Sequence, residues 1–247
     1  MRALALAPRL GITRVANITG LDHVGMPVYA AYRPNARSIV VSQGKGLTPM
    51  AAKASALMEA IEGYHAEHVD LPLRLASTRE LQGRYPLCQV ERLPRVSIGS
   101  YHLDRRLLWC TGTDLVSGEE RLVPYELVHT DFTLPLPSGS GSFMMSSNGL
   151  ASGNHPLEAE SHAICELVER DAMALWDLAG GSGSAVGRLN LDSVVDDDCA
   201  GLIERLRRAN LALGIWDVTS DIGLPTFVCV LADQEPDAFS QTYTSHG

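Results

Sequence analysis

Two pairs of glutamates, Glu59 with Glu62 and Glu166 with Glu169, share the spacing E-x-x-E. On a helix, three residues bring side chains back to nearly the same side, so each pair presents two carboxylates on one face. Ser55, Glu59 and Glu62 fall within about 60° of one another by this geometry, and Glu158, His162, Glu166 and Glu169 within about 80°, with Arg170 beside them. Like charges at this spacing repel mildly, and a cation offsets that cost. Carboxylates without clustered His or Cys suit a hard ion such as Mg²⁺, which commonly binds together with substrate phosphates and so points to a nucleotide.

A single such pair is most often a solvated helix face. Here the pairs echo each other. Laying residues 46–62 over residues 153–169 matches Gly46 with Gly153, Pro49 with Pro156, Ala52 with Ala159, Ala56 with Ala163, Glu59 with Glu166 and Glu62 with Glu169. The apolar positions coincide too: Met50 with Leu157, Leu57 with Ile164, Ile61 with Val168. Both segments read as a glycine loop running into a helix. The expectation is that the four glutamates converge on one cavity, with the two helices related by an approximate two-fold.

Other chemistries fit less well. Gly44-Lys45-Gly46 offers backbone N–H groups and a lysine to a phosphate, but G-x-x-x-x-G-K-[ST] does not occur, and a plain strand-to-helix turn accounts for the spacing. Glu62 and His65 form E-x-x-H, as in dimetal bundles, yet the echo carries no matching histidine. There is no G-x-S-x-G, and Cys165 lies among apolar neighbours, where cysteine usually packs.

The elements that must position these residues follow from periodicity. Ser38 to Val41 reads as a strand and Ser42 to Gly46 as a glycine loop. Thr48 and Pro49 start a helix with an apolar stripe of Met50, Ala54, Leu57 and Ile61. Leu107 to Val128 reads as a hairpin around Ser117-Gly118-Glu119. Residues 134–142, rich in Pro, Ser and Gly, read as a loop dividing a first half, 1–133, from a second, 143–247. Pro156 to Trp176 and Cys199 to Asn210 read as helices, and Gly214 to Val218 and Thr226 to Leu231 as strands. Alternating helices and strands indicate an α/β or α+β fold.

The 20 Lys and Arg against 29 Asp and Glu leave a net charge of −9, which argues against nucleic acid or an anionic membrane as partner. Five scattered cysteines argue against a disulfide framework or a zinc site and fit a reducing cytoplasm. Nowhere do 18 uncharged apolar residues run together, and the first ten residues lack the apolar stretch of a signal peptide.

Ser-Gln-Gly-Lys-Gly (42–46), the helix Ala-Lys-Ala-Ser-Ala-Leu-Met-Glu-Ala-Ile-Glu (52–62), Ser-Asn-Gly-Leu-Ala-Ser-Gly-Asn (147–154) and Cys-Glu-Leu-Val-Glu-Arg-Asp-Ala (165–172) together resemble the YcaO family. The resemblance covers nearly the whole chain. It implies two pseudo-symmetric strand-loop-helix halves around a central nucleotide site, binding ATP and Mg²⁺. It assigns Glu59, Glu62, Glu158, Glu166 and Glu169 to metal, and Ser55, Asn154 and Arg170 to the nucleotide, which Lys45 of the glycine loop would join. Arg170 and Glu166 take the catalytic work of stabilising charge on the transferring phosphoryl group.

The chemistry it implies is activation of a peptide backbone amide. A nucleophile adds to the carbonyl and the oxyanion takes the γ-phosphate, giving an azoline with a side-chain nucleophile or a thioamide with a sulfide source. Implied partners are a peptide or protein substrate, a TfuA-like or other substrate-presenting protein, and a second copy in a homodimer. An alternative is an accessory role, as in relatives linked to methylthiolation of a ribosomal protein. Family members are longer, so the chain is expected to be one incomplete domain that binds nucleotide weakly, does not turn over peptide, and leaves the strands around Val218 and Val228 partly exposed.

Overall fold

The computed structural model describes residues 2–99, 101–234 and 242–246. The chain forms two compact units, Met1–Asn17 with Val28–Ser147, and Ile18–Pro27 with Asn148–Gly247.

In the first unit α1 (Arg2–Leu6) precedes β1 (Arg14–Asn17), β2 (Val28–Tyr32) and β3 (Val41–Lys45), and α2 (Pro49–Glu67) follows. The strands form one antiparallel sheet in the order β1-β2-β3, with Val28 opposite Lys45 and Tyr32 opposite Val41. The helix starts where its residues dictate: the Thr48 side chain accepts a hydrogen bond from the Ala51 N–H, and Pro49 takes the first position. Its buried stripe is Ala52, Ala56 and Ala60, all 0% exposed, with Leu57 beside them. This corrects the expected stripe, since Met50 is 70% exposed.

The reason lies under the helix. A Cβ on Gly44 would overlap Ala56 N and Ala52 O and lie 2.7 Å from Ala56 Cα, so the sheet meets the helix backbone itself. Only small residues permit that approach. The same contact shifts the expected strand: Val41–Lys45 is paired, and the expected loop at 42–46 is mostly strand. Ser38, expected in the strand, instead serves the helix end, where its Oγ donates to Glu67 at 2.5 Å and its N–H at 3.1 Å. Glu67 also pairs with Arg33, both buried, and Arg33 lies over the Tyr64 ring at 5.4 Å.

The same unit continues with β4 (Arg74–Ser77), α3 (Thr78–Leu81), β5 (Arg106–Thr113) and β6 (Glu120–Pro124), whose antiparallel sheet runs β4-β5-β6. The expected hairpin is present. Asp114 Oδ1 accepts from the Val116 and Ser117 N–H groups at 3.0 Å, and Gly118 supplies a φ of 74°. Trp109, fully buried, donates from Nε1 to the Ala76 carbonyl at 2.9 Å and centres a core with Leu107, Leu81 and Phe143. The loop at 134–142 belongs to this unit, because the buried Glu126 carboxylate accepts from the N–H groups of Gly141, Ser142 and Phe143. The change of unit therefore comes after Ser147 rather than at that loop.

The second unit holds α4 (Pro156–Leu178), α5 (Asp197–Arg208), β7 (Leu211–Asp217), β8 (Phe227–Asp233) and β9 (Thr242–His246). Its antiparallel sheet runs β7-β8-β9. Asp196 caps α5 by accepting from Cys199 N–H at 2.9 Å, and arginines 205, 207 and 208 fill the last turn, matching the helix dipole. Residues 18–27 fold with this unit, His23 Nε2 bonding the Ala209 carbonyl at 3.0 Å. Val228 itself is 0% exposed, but Phe227 beside it is 37% exposed and Val218 is half-buried, so the strands around Val218 and Val228 are partly exposed. The three sheets among the described residues are antiparallel, making the fold α+β. No helix among the described residues is long and apolar enough to cross a membrane, and all five cysteines are free.

These contacts set the stability of two kinds of variant. Gly44→Ala should lower stability by about 3 kcal/mol, because backbone cannot move aside as a side chain can, whereas Gly201→Ala, exposed on α5 with nothing within 4 Å, should raise it by about 1 kcal/mol. Urea unfolding of both variants checks the contrast. Burial pushes the Glu67 carboxyl up, but the Ser38 hydroxyl and Arg33 outweigh it and hold it below the usual range. Its contribution is thus present above the unfolded pKa of about 4.3 and lost as pH falls through the lower folded value. Glu67→Gln should cost about 3 kcal/mol at neutral pH and flatten the acid limb of the stability profile, measured by urea unfolding across the acid range.

Candidate functional site

Each glutamate pair stands on its own helix, and the two helix starts repeat one local geometry. On the first, the Thr48 side chain caps the helix and the Pro49 ring opens it; on the second, His155 accepts from Leu157 N–H at 3.2 Å and Pro156 opens it. A Cβ on Gly46 would lie 2.7 Å from Ala52 N, and one on Gly153 would lie 2.7 Å from Ala159 N. Glycine at these two positions lets the incoming chain fold back onto the first helical turn. The repeat stops upstream: α2 follows a strand, whereas residues 147–154 before α4 are irregular.

On α2, Glu59 is exposed and Glu62 half-buried. The close packing of β3 brings the sheet's last residues to this face. Glu59 accepts a hydrogen bond from the Gln43 backbone and feels the Lys45 ammonium, yet its pKa is raised, first because neighbouring atoms desolvate it and second because Glu62 repels it. Two carboxylates and one lysine thus form a group with an unsettled negative charge. Ser55, exposed, lies one turn before Glu59 on the same helix. Lys45 reaches this group as a strand residue; Gly44 and Gly46 on either side pack against α2, in keeping with the plain strand-to-helix turn that the spacing suggests.

On α4 the carboxylates are more firmly held. Glu166 Oε2 accepts from the Gly149 N–H at 2.5 Å, and its Oε1 takes Arg170 Nη2 at 3.1 Å and Nε at 3.2 Å. Glu158 Oε2 accepts from the Asn154 N–H at 2.8 Å and lies 3.3 Å from its side-chain amide. Glu169 is half-buried, one turn from Glu166. The residues expected on this helix therefore form two local sets, Asn154 with Glu158 and Glu166 with Arg170. Sequence reasoning gives Gly149 no role of its own beyond its place in the 147–154 motif. Its φ of 78° after an asparagine is the signal that it shapes the turn meeting Glu166.

Among the described residues no three His, Cys, Asp or Glu side chains gather closely enough to hold a metal ion by themselves. A cage is not what Mg²⁺ usually requires; one or two carboxylates with phosphates and waters suffice, and the all-oxygen donor sets here fit that pattern. Two clefts of the first unit lie near β4, β5 and β6, and neither includes any of these residues.

Known proteins share both the sequence and the fold. An uncharacterized protein in the tfuA 3′ region of Rhizobium leguminosarum bv. trifolii is 39% identical over 234 residues, covering 92% of this chain and 54% of that protein. One from Methanothermobacter thermautotrophicus is 36% identical over 228 residues, covering 91% and 57%. The chain thus spans about half the length of the curated relatives it matches. A heterocyclase solved in complex with substrate and cofactor superposes with a TM-score of 0.82 at 23% identity, over 100% of this chain and 37% of that one. YcaO from Methanopyrus kandleri, solved with AMPPCP and Mg²⁺, gives 0.68 at 20% identity, over 100% and 60%. At these identities the structures speak to the fold alone. The sequence match to the YcaO cyclodehydratases, described as ATP- and Mg²⁺-binding, runs from residue 43 to residue 247 and takes in both glutamate-bearing helices, so the chain belongs to the YcaO family.

Proposed function

We propose that this chain carries the Mg·ATP-handling residues of an enzyme that activates peptide backbone amides, giving azoline or thioamide products. The observation that carries the reading is the doubled helix start, with its glycine, cap, proline and E-x-x-E, in a chain of an ATP- and Mg²⁺-binding family. In this reading Glu59, Glu62, Glu158, Glu166 and Glu169 hold Mg²⁺, and Ser55 and Asn154 hydrogen-bond the nucleotide or a metal-bound water. ATP supplies the phosphoryl group that makes the amide oxygen a leaving group. Lys45 and Arg170 offset phosphate charge, and the Glu166 link fixes where the Arg170 guanidinium stands. A relative in a tfuA region supports a TfuA-like partner that presents the peptide, and with it the thioamide branch. In this reading both units belong to one YcaO-like domain, and the protein works as a homodimer.

Calorimetry of the 247-residue chain with ATP and Mg²⁺ tests the reading. Saturable, Mg²⁺-dependent binding is expected, and Glu59→Gln and Glu166→Gln should each weaken it by about tenfold or more, since an amide is a far poorer ligand for a hard cation. Unchanged binding in both variants, with the fold intact, would remove the metal role.

The raised Glu59 pKa gives a pH prediction with a definite sign. A proton competes with the cation, so Mg·ATP affinity should fall on acidification at a higher pH than an ordinary glutamate would produce, and Glu59→Gln should lose that part of the profile. Without ligand the sign reverses. A folded-state pKa above the unfolded one means the ionised carboxylate costs stability at neutral pH, so Glu59→Gln should raise the melting temperature by about 1 °C.

A further inference from the structure

A cleft of about 290 Å³ opens in the first unit among α3, the turn after it, and residues 87–95 and 101–103. None of the residues assigned to nucleotide or metal lines it. Its walls are fixed by their own bonds. The Thr78 hydroxyl, 2% exposed, pairs with the Tyr101 hydroxyl at 2.9 Å, and the Tyr101 ring packs on Phe143 at 5.1 Å. Arg79 N–H donates to the Leu103 carbonyl at 3.0 Å, and Cys88 N–H to the Leu122 carbonyl at 3.0 Å. Tyr85, which also lines the cleft, carries Arg74 over its ring at 4.4 Å.

Two charges line this space. The Arg95 guanidinium lies 4.8 Å from the Tyr101 ring centroid, held on a ring that is itself held. Among the described residues Arg95 makes no ion pair, and neither does Glu91, which shares the cleft. An arginine stacked on an aromatic face offers its planar fork to a carboxylate. Glu91 disfavours a multiply charged phosphate beside it and accepts from N–H donors instead. Cys88 adds no charge, because burial pushes its thiol up to about 11. A rigid, half-apolar cleft with one cation and one anion not neutralising each other is complementary to a dipolar ligand of small size.

We propose that this cleft binds a carboxylate-bearing peptide segment, the carboxylate on Arg95, the apolar body between Tyr85 and Tyr101, and the segment's N–H groups toward Glu91. The carboxylate is either an Asp or Glu side chain or a chain terminus. The site is independent of the nucleotide reading, since it forms without any residue of that group.

The test uses the 247-residue chain without nucleotide and three short probes followed by NMR: acetyl-Leu-Asp-amide, acetyl-Leu-Ala with a free C-terminus, and acetyl-Leu-Asn-amide. Saturable shifts at Tyr85 and Tyr101 are expected with one or both carboxylate probes, and which one responds identifies the source. The asparagine probe should bind at least about tenfold more weakly, and Arg95→Gln should erase the difference between acids and amide. Glu91→Gln, which weakens the acceptor that the segment's N–H groups reach, should loosen binding of the acids. Both variant positions are exposed, and melting curves confirm the fold. No saturable shift with either acid, equal binding of the asparagine probe, or an undiminished preference in Arg95→Gln would overturn the proposal.

Discussion

The contact on which the candidate site depends is the approach of β3 to the backbone of α2 at Gly44. Helix and sheet normally meet through side chains. Here the side chains are removed, with glycine on one surface and Ala52, Ala56 and Ala60 on the other, and the separation shrinks accordingly. The shorter separation lets the Gln43 backbone and the Lys45 ammonium act on the Glu59 carboxylate. With a larger residue at 44 the strand would ride outward and take both partners with it. Packing and chemistry are in this way one requirement on the same five-residue strand.

That arrangement has an electrostatic cost. Glu59 and Glu62 repel each other at the face where they are crowded, and the helix that carries them must be held against this. The holding is done at its far end, where Arg33, Ser38 and the last residue of the helix, Glu67, form a buried ionic group, and where Thr130 N–H bonds the Ala66 carbonyl at 3.0 Å. One helix thus carries carboxylates of opposite circumstance. Glu67 is ionised because its partners are fixed, and Glu59 is raised because desolvation and Glu62 outweigh the help it receives. Two carboxylates on one helix are thus set apart by environment alone, one tied into the structure and the other, Glu59, proposed for ligand.

Much of this is legible in the sequence, and for identifiable reasons. Caps and prolines act locally, so both long helices begin where Thr48-Pro49 and His155-Pro156 stand. The echo between residues 46–62 and 153–169 survives as geometry because Gly46 and Gly153 do the same steric work. What sequence misses depends on contacts distant along the chain. Periodicity favours Met50 for the core because Met is the larger apolar residue, but the partner surface at Gly44 selects alanine. β-Branched residues favour a strand from Ser38 to Val41, while Glu67, 29 residues away, takes Ser38 for itself. The Glu126 tie to residues 141–143 likewise has no sequence signature, and it decides to which unit the proline-rich loop belongs.

In the proposed function the carboxylates of α2 and those of α4 take up Mg²⁺ in company with a nucleotide. Replacing Mg²⁺ with paramagnetic Mn²⁺ and recording the broadening of backbone NMR signals, with and without ATP, tests this most directly. Strong nucleotide-dependent broadening is expected around Glu59 and Glu62 and around Glu166 and Glu169, with little at β4 to β6. Sharp signals at both helices in the presence of Mn²⁺ and ATP, or broadening confined to scattered surface acids and indifferent to nucleotide, would contradict it.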